Sequence, residues 1–451
     1  MSAAGGYKEF LTTALPLIIS TGAWALQNFV NRVFLAWFNQ DAYAASLPAG
    51  LLSFTIMSIF IGSIAYIDVF VSQYNGKGEY KSIGPSVWQS FYLSFFAAAV
   101  LIVISLFSES IFAVSGHAPS VIAEEVKYFR LLCLGSFFAF APYALSGFYA
   151  GRERTGVILI VNIIGLTTAT VFDYLLIFGN FGFPRLGIEG AALSSIIGSF
   201  FMLIIFMVMI LSKKNHLRYN TRKLKPDFAF IKRLLRFGFP NGVQFFFDMA
   251  AFTFFVIIIG SAGKEIQSAT NIVMNINQLI FMPLVGCGIT TSIMVGNYLG
   301  QNNPELSARS VRTALKVVYA YIAVVLLLIV FCPYIFIFPF AKGSEAELVT
   351  EMYHLIVTLL KFVAIYTLFD PASVIFSSAL KGAGDTAFIM KVLSFLAIFA
   401  AGVPIYLAMR VFNLSFYIGW AIFVLYAILL AVVFFLRYRG GKWKSMRVIE
   451  P

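Results

Sequence analysis

Long apolar segments follow one another along almost the whole chain and are separated by short polar stretches. Most exceed the roughly 20 residues that an α-helix needs to cross a hydrocarbon core of about 30 Å. Because only helices and closed barrels satisfy every backbone hydrogen bond in lipid, these segments predict membrane-spanning helices. Twelve spans are predicted, at residues 12–38, 43–72, 85–107, 126–149, 157–179, 189–212, 237–260, 268–297, 311–340, 350–380, 387–410 and 415–436.

The composition agrees with a membrane protein and leaves no room for a second, soluble domain. Hydrophobic residues make up 60% of the 451 positions and charged residues 12%, against roughly 25% charged residues in soluble domains. The predicted fold is therefore an all-α integral membrane protein with 12 transmembrane helices.

The net charge of +12 is explained by the membrane topology and does not indicate a nucleic-acid partner. With both termini in the cytoplasm, roughly two thirds of the 32 Lys and Arg lie on the cytoplasmic side, as the positive-inside rule requires. The densest run is at residues 213–236, between two apolar bundles, where anionic headgroups would attract it. We expect a multi-pass protein of the bacterial cytoplasmic membrane, with no nucleic-acid partner.

Two offsets bring one half of the chain into register with the other. A shift of 224 residues places Pro16 on Pro240 and Gly76 on Gly300. A shift of 231 residues places Gly151 on Gly382, so the two registers differ by seven residues. The matches occur at equivalent places in the two halves, which indicates an internal duplication.

The duplication predicts two six-helix lobes of the same orientation, because an even number of spans returns the chain to the same side. The lobes are predicted at residues 1–212 and 237–436, joined by a basic cytoplasmic linker at 213–236 and followed by a tail at 437–451. Two pseudo-symmetric bundles around a central cleft are typical of transporters that work by alternating access, and this linker would leave the lobes free to move.

Cysteine and histidine residues form no pattern that would indicate an enzyme or a metal site. The three cysteines fall in predicted spans and the three histidines are scattered, without metal-ligand or nucleophile spacing. They are Cys133, Cys287, Cys332, His117, His216 and His354. We expect a non-enzyme without a bound cofactor, and cysteines that are buried core thiols.

Three carboxylates lie inside predicted spans, where a charge costs at least about 2.5–3.5 kcal/mol on insertion scales and so points to function. They are Asp173, Asp248 and Asp370. Tyr366 precedes Asp370 by four residues and is expected on the same helix face. Pro371 removes a backbone donor and would free the carbonyl four residues back for a cation. The alternative is a buried hydrogen bond that only joins helices.

Several amides also lie within the spans and are candidates for lining a polar cavity, although helix–helix hydrogen bonding is the commoner use of such residues. The candidates are Asn31, Gln244, Asn271, Asn275 and Gln278.

Motifs in the C-terminal half resemble those of the multidrug and toxic compound extrusion (MATE) family. Tyr366, Asp370 and the run from Ser377 to Asp385 look like the NorM-type cation-binding segment. Pro240 followed by Asp248 is similar to the family's proline and acidic residue, which is usually a glutamate. In the eighth span, Asn275, the run Phe281-Met282-Pro283 and the run from Val295 to Gly300 also match the family pattern.

Besides Asp248, the chain departs from the family pattern at three positions. Asn31 stands where the family usually has an aspartate. Phe281 stands where some NorM-like members have a cation-contacting tyrosine, so the resemblance implies that Phe281 also lines the cavity. Asp173 matches an aspartate of DinF-like members, whose accompanying asparagine is replaced by Ala169. The chain thus combines NorM-like features in the C-terminal half with a DinF-like aspartate in the fifth span.

The resemblance implies an antiporter that exports amphipathic, cationic organic compounds in exchange for sodium or protons. Asp248 and Asp370 would bind the coupling ion and the substrate in turn, with sodium as a possible metal at these two residues, and Tyr366 would orient Asp370. The expected partners are small organic molecules, the coupling ion and membrane lipids, and the chain is expected to act as a monomer.

Three other functions fit parts of the sequence. A flippase for an anionic lipid or a lipid-linked saccharide would need a cationic cavity, whereas only Lys361 lies near the carboxylates of the C-terminal half. A facilitator-superfamily symporter would carry a characteristic acidic and Arg-rich run after the second span, and residues 73–84 lack one. A membrane scaffold or receptor would need neither buried acids nor duplicated halves.

Overall fold

The computed structural model describes residues 4–113, 117–338 and 352–450, and the secondary structure of these residues is entirely helical. Eleven helical segments are long and apolar enough to cross a membrane, and there are twelve if one bent pair of helices counts as a single span. The predicted all-α fold with twelve transmembrane helices is confirmed. The predicted ends of two spans at residues 340 and 350 lie outside the described residues.

The first half of the chain forms ten α-helices, of which α2 with α3 and α6 with α7 are each parts of one span. They are α1 (Tyr7–Phe38), α2 (Gln40–Ala65), α3 (Ile67–Lys77), α4 (Tyr80–Ser105), α5 (Ser108–Ala113), α6 (Pro119–Leu134), α7 (Ser136–Ala150), α8 (Thr155–Phe178), α9 (Ile188–Ile210) and α10 (Lys213–Tyr219).

The second half contains long helices at its start and interrupted ones towards its end. They are α11 (Phe228–Gly260), α12 (Lys264–Gly300), α13 (Pro304–Phe331), α14 (Tyr334–Ile337), α15 (Tyr353–Thr367), α16 (Asp370–Ala383), α17 (Thr386–Leu396), α18 (Val403–Tyr406) and α19 (Phe416–Arg439). Two π-helical turns, Ala397–Gly402 and Leu407–Val411, flank α18.

The chain divides into two compact units. The N-terminal unit comprises Leu15–Val243, Gly296–Asn302 and Arg447–Pro451. The C-terminal unit comprises Met1–Ala14, Gln244–Val295 and Asn303–Met446. The division of the chain into lobes at residues 1–212 and 237–436 stays a prediction.

In the described residues, and besides the break at Tyr66 between α2 and α3, three spans that the hydrophobic pattern predicts as continuous helices are interrupted. The helices α6 and α7 meet at Gly135 with a bend of 43°. The span that begins with α17 widens into π-helical turns around Pro404, because proline cannot donate to the helical ladder. The third interruption separates α15 from α16 and places a candidate carboxylate at a helix end.

The basic linker is held against α4 within the N-terminal unit. The Trp88 indole donates to the carbonyl oxygen of Thr221 at 2.7 Å, and the Tyr92 hydroxyl donates to that of Leu224. The Gln89 side chain donates to the Lys225 carbonyl at 3.1 Å and accepts from the Asp227 amide at 2.8 Å. The linker backbone is therefore fixed on α4, although the sequence predicts a connection that leaves the lobes free to move.

The cysteines differ in their surroundings. Cys133 and Cys287 are buried, as predicted, but Cys332 is exposed, so the prediction of a core thiol is wrong there. Because α13 ends at Phe331, Cys332 follows the helix instead of packing within it.

The contact between Trp88 and the linker is expected to stabilise the fold. Trp88→Phe keeps most of the ring but leaves the buried Thr221 carbonyl without its donor, at a cost of about 1–3 kcal/mol. Thermal unfolding of the purified protein in detergent should show a lower midpoint. Trp37→Phe is the matched control because Trp37 is 71% exposed. Equal midpoints for the two variants would contradict the assigned contact.

Candidate functional site

Asp248 lies in the middle of the long helix α11 and is half-buried. Gln244, one turn earlier on the same face, is 6% exposed and donates from Nε2 to Asp248 Oδ2 at 3.3 Å. The other amide atom, Gln244 Oε1, is buried without a hydrogen-bond partner. The predicted cavity residue Gln244 thus belongs to the immediate surroundings of Asp248.

Asp370 is the first residue of α16, at the interruption between α15 and α16. Pro371 follows it, and because proline has no backbone N–H the helical ladder cannot continue through this point. The Phe369 amide instead donates to the Tyr366 carbonyl at 2.8 Å in a tighter turn. The sequence predicts this loosening of the backbone, but Tyr366 and Asp370 lie on either side of a break rather than on one uninterrupted helix.

Two tyrosines lie close to these carboxylates in the C-terminal unit. Tyr366 is 3% exposed and interacts electrostatically with Asp370. Tyr426 of α19 is 6% exposed and interacts electrostatically with both Asp248 and Asp370. The structure therefore brings the predicted residues Asp248, Asp370 and Tyr366 around a shared neighbour, Tyr426.

An aromatic cluster holds these tyrosines in place. The ring centroids of Tyr366 and Phe423 are 5.7 Å apart, and those of Phe423 and Tyr426 are 6.0 Å apart. Phe423 also packs on Phe255 of α11 at 4.4 Å. The cluster connects α11, α15 and α19, the helices that carry Asp248, Tyr366 and Tyr426.

Buried oxygen atoms without hydrogen-bond partners accompany the carboxylates in this unit. They include Gln244 Oε1, the Tyr366 hydroxyl and the Thr367 hydroxyl. Buried polar groups in folded proteins normally have partners, so unpartnered oxygens beside carboxylates point to a ligand that supplies positive charge or a proton. Within the described ranges no group of three or more His, Cys, Asp or Glu could hold a metal ion.

Asp173 forms a separate polar site in the N-terminal unit. Its side chain is fully buried in α8, and Asn31 of α1 donates from Nδ2 to Oδ1 at 2.9 Å. Its second oxygen, Oδ2, has no hydrogen-bond partner of standard geometry among the described residues, and the nearby Ser194 hydroxyl donates to the Gly190 carbonyl. The structure thus joins two predicted residues that are 142 positions apart in the chain.

Close packing between α8 and α9 explains why alanine occupies position 169, one turn before Asp173. A Cβ atom added to Gly198 of α9 would lie only 2.8 Å from the Ala169 Cβ atom and 2.6 Å from the Gly165 carbonyl oxygen. Ala169 itself is 2% exposed. The helices approach so closely that a longer side chain at position 169 has little space.

The remaining predicted cavity residues lie on α12. Asn271, Asn275 and Gln278 are exposed, and Phe281 is half-buried. The Asn275 side chain donates to the Asn271 carbonyl of its own helix at 2.9 Å. No hydrogen bond in the described residues connects these four side chains to Asp248 or Asp370, so their part in a cavity stays a prediction.

A family model described as MatE matches residues 16–175 and 240–407, well over half of the chain. The chain belongs to the MATE family of transporters. The matched segments begin 224 residues apart, the same offset that places Pro16 on Pro240. The resemblance seen in the sequence is confirmed.

Curated relatives in the MATE family cover nearly the whole chain. A probable multidrug resistance protein NorM of Thermotoga maritima is 25% identical over 451 residues, which cover 98% of this chain and 94% of that protein. The multidrug resistance protein MdtK of Proteus mirabilis is 26% identical over 406 residues, which cover 88% and 86% of the two chains.

Solved MATE structures share the fold. A MOP superfamily transporter from Pyrococcus furiosus aligns with a TM-score of 0.86 at 17% identity, over 98% of this chain and 97% of that one. An outward-facing multidrug resistance MATE transporter of the same superfamily aligns with a TM-score of 0.85 at 17% identity, over 98% and 97% of the two chains. At these identities the similarity establishes the fold alone.

Two residues beside the acids, Tyr426 and Lys381, and one further buried acid, Glu125, cannot be recognised from the sequence. Tyr426 is one of many span tyrosines, and nothing in its local sequence indicates two nearby carboxylates. Lys381 interacts electrostatically with Asp248. It belongs to the run from Ser377 to Asp385 that resembles the family, but nothing in that run indicates that Lys381 lies near Asp248. Glu125 on α6 is fully buried, and its Oε1 atom lies 2.8 Å from Nδ1 of His117. Because Glu125 lies at the edge of a predicted span, the sequence does not indicate that it is buried.

The hydrogen bond between Asn31 and Asp173 can be tested by a double-mutant cycle. The variants Asn31→Ala, Asp173→Ala and the combination should show a coupling of about 0.5–3 kcal/mol in the free energy of unfolding, because each single change already breaks the contact. The control pairs Asp173→Ala with Asn28→Ala, since Asn28 donates to the Trp24 carbonyl. A coupling no larger than in the control cycle would contradict the contact.

Proposed function

We propose that this MATE transporter exports amphipathic, cationic organic compounds from the cell in exchange for sodium ions or protons that move inward. The observation that carries the proposal is the pair of half-buried carboxylates, Asp248 and Asp370, around the buried Tyr426. The names of the relatives from Thermotoga maritima and Proteus mirabilis, which describe multidrug resistance proteins, support export of several compounds.

The charge around these carboxylates favours a positively charged ligand. No salt bridge in the described part of the chain involves Asp248 or Asp370, although Lys381 interacts electrostatically with Asp248. Carboxylates without an ion pair are costly within a membrane, so an incoming cation or proton would relieve that cost. The same residues would repel an anionic lipid.

The available atoms suit either coupling ion. Hard cations prefer carboxylate, carbonyl and hydroxyl oxygens. The carboxylates of Asp248 and Asp370, the Tyr366 and Thr367 hydroxyls and the backbone around Pro371 offer these atoms. A proton would instead bind a single carboxylate. In both cases the coupling ion neutralises the same negative charge that would bind the organic cation.

Exchange follows from this competition. When the coupling ion occupies the carboxylates, they lose their attraction for the organic cation, which is released. When the ion leaves, the restored negative charge binds the next organic cation. Transport then requires that the protein changes between inward-open and outward-open states with either ligand bound, and each ligand shifts this equilibrium only through its different affinity for the two states.

The position of Asp370 at a helix start contributes to this exchange. The N-terminal end of α16 carries partial positive charge on its free N–H groups, which stabilises the Asp370 carboxylate between ligands. The interrupted backbone beside it can change its turn geometry at less cost than a continuous helix. We propose that Tyr366 orients Asp370 and that Asp173 with Asn31 forms a second polar site in the N-terminal unit.

The membrane placement is part of the same proposal. Both termini lie in the cytoplasm, since the basic residues concentrate there and follow the positive-inside rule. The chain works as a monomer in the bacterial inner membrane, with surrounding lipids as its neighbours.

Replacing either carboxylate of the C-terminal unit should abolish most export. Asp248→Asn and Asp370→Asn each remove a charge-assisted contact worth about 1.5–3 kcal/mol, which corresponds to about 10- to 100-fold slower ethidium efflux. Efflux is measured in cells at matched protein levels. Glu109→Gln serves as control, because it is the same chemical change at a side chain that is 75% exposed. Wild-type efflux in both carboxylate variants would refute the assigned site.

The coupling ion is identified by imposing one gradient at a time. Proteoliposomes that contain ethidium are given either a sodium gradient or a pH gradient, with the other held at zero. We expect one gradient to drive ethidium movement in the wild type and in Glu109→Gln, and neither to drive it in Asp370→Asn. Movement driven equally by both gradients or by neither would contradict exchange with a single coupling ion, and the latter result would favour the lipid flippase.

A further inference from the structure

An open cavity of about 250 Å³ lies beside the start of α1 and the first turns of α13, in the C-terminal unit. Three of its six lining residues are cationic and none is acidic, so its interior is electrostatically positive. The lining residues are Gly6, Tyr7, Arg309, Arg312, Thr313 and Lys316. None of the residues proposed for transport contributes to this cavity.

The three cations lie on one face of α13. Arg309, Arg312 and Lys316 are spaced by three and four residues, which places them on successive turns, and all three are exposed. No salt bridge among the residues described by the structure involves any of them. Their positive charge is therefore available to a ligand.

The acidic residues on the neighbouring turns have other contacts. Glu305 accepts from the Lys444 ammonium at 3.4 Å, and Glu9 accepts from the Gly5 amide at 2.7 Å. Lys444 balances the charge of Glu305, and the Gly5 amide only orients the Glu9 carboxylate. The three cations of the cavity therefore still outnumber the nearby Glu9 carboxylate.

The opposite wall is fixed by the segment before α1. The Thr313 hydroxyl donates to the Gly5 carbonyl at 2.8 Å in a buried hydrogen bond. Gly5 has a φ of +70°, and a Cβ atom there would lie 3.3 Å from the Leu306 carbonyl oxygen, so the position favours glycine. This contact holds the first turn of α1 next to the basic face.

The cavity is expected near the lipid headgroups. The helix α13 has 28 residues and is about 42 Å long, which exceeds the hydrocarbon thickness of about 30 Å. The part from Val317 to Phe331 has no charged residue, so the hydrocarbon is expected to cover this part and the basic end is expected at its edge. Tyr7 and Tyr319 are 51% and 39% exposed, and exposed tyrosines are typical of the membrane–water interface.

We propose that this cavity binds the phosphate-bearing headgroup of an anionic glycerophospholipid. Arginine side chains bind phosphate through paired N–H donors, and Lys316 can extend along its stem towards the headgroup. The volume is below the roughly 300–1,000 Å³ of sites for drug-sized ligands. Three unpaired cations would also repel an organic cation, so this site is distinct from the one proposed for the exported compound.

Native mass spectrometry of the detergent-purified protein tests the proposal with phosphatidylglycerol as the probe and phosphatidylcholine as the neutral comparison. Combining Arg309→Gln, Arg312→Gln and Lys316→Gln should weaken phosphatidylglycerol binding by about fivefold for each charge removed. The control combines Lys81→Gln, Lys391→Gln and Arg410→Gln, which remove the same charge at exposed positions outside both the cavity and the basic linker and should leave binding unchanged.

Thr313→Val tests the geometry without changing any charge, because it removes only the hydrogen bond that holds Gly5. We expect severalfold weaker phosphatidylglycerol binding in this variant. If the triple variant does not fold, the single changes Arg309→Gln and Arg312→Gln carry the charge test.

Three results would overturn the lipid site. They are phosphatidylglycerol binding that is unchanged in the charge variants, phosphatidylcholine binding as tight as that of phosphatidylglycerol, and inorganic phosphate binding as tight as that of the lipid. The last would assign the cavity to free phosphate. Selective phosphatidylglycerol binding that only the cavity variants lose would support it, whatever the outcome of the efflux measurements.

Discussion

The cost of holding a carboxylate inside a membrane governs how the polar parts of this protein are arranged. Each intramembrane acid has a specific neighbour that reduces this cost. Asp173 accepts from the Asn31 amide, Asp248 accepts from Gln244, and Asp370 occupies the positive end of a helix. Each of these arrangements compensates the charge only in part, which leaves every acid able to respond to a ligand.

The two units differ in how they reduce the cost of a carboxylate in the membrane. In the N-terminal unit the acid is fully buried, and its partner comes from another helix, α1, across closely packed small residues of α8 and α9. In the C-terminal unit the acids are half-buried and share the neighbour Tyr426, with several buried oxygens left without partners. The first arrangement is compact, and the carboxylate accepts a hydrogen bond from Asn31. The second arrangement has several oxygen atoms without partners that could bind a cation or a proton.

Charge of the opposite sign is found at one end of the same unit. The basic face of Arg309, Arg312 and Lys316 lies on the first turns of α13, outside the uncharged part of the helix. Carboxylates inside the spans and cations at their ends are both expected from the cost of charge in hydrocarbon, because long basic side chains reach the interface whereas short acidic ones do not. The two proposed sites would thus attract a cation within the membrane and an anion at its surface.

The sequence by itself determined the class of fold, the number of spans and the family, because the length of an apolar helix is set by the thickness of the bilayer and the motifs are local. It also pointed to three acids inside the spans, Asp173, Asp248 and Asp370, since their residue type is rare there, but it did not reveal the burial of Glu125. Only the tertiary structure decided which side chains meet. The contact between Asn31 and Asp173, the position of Tyr426 beside two acids and the docking of the linker on Trp88 each join residues far apart in the chain. Helix packing sets such contacts, and a one-dimensional pattern of polar and apolar residues does not record it.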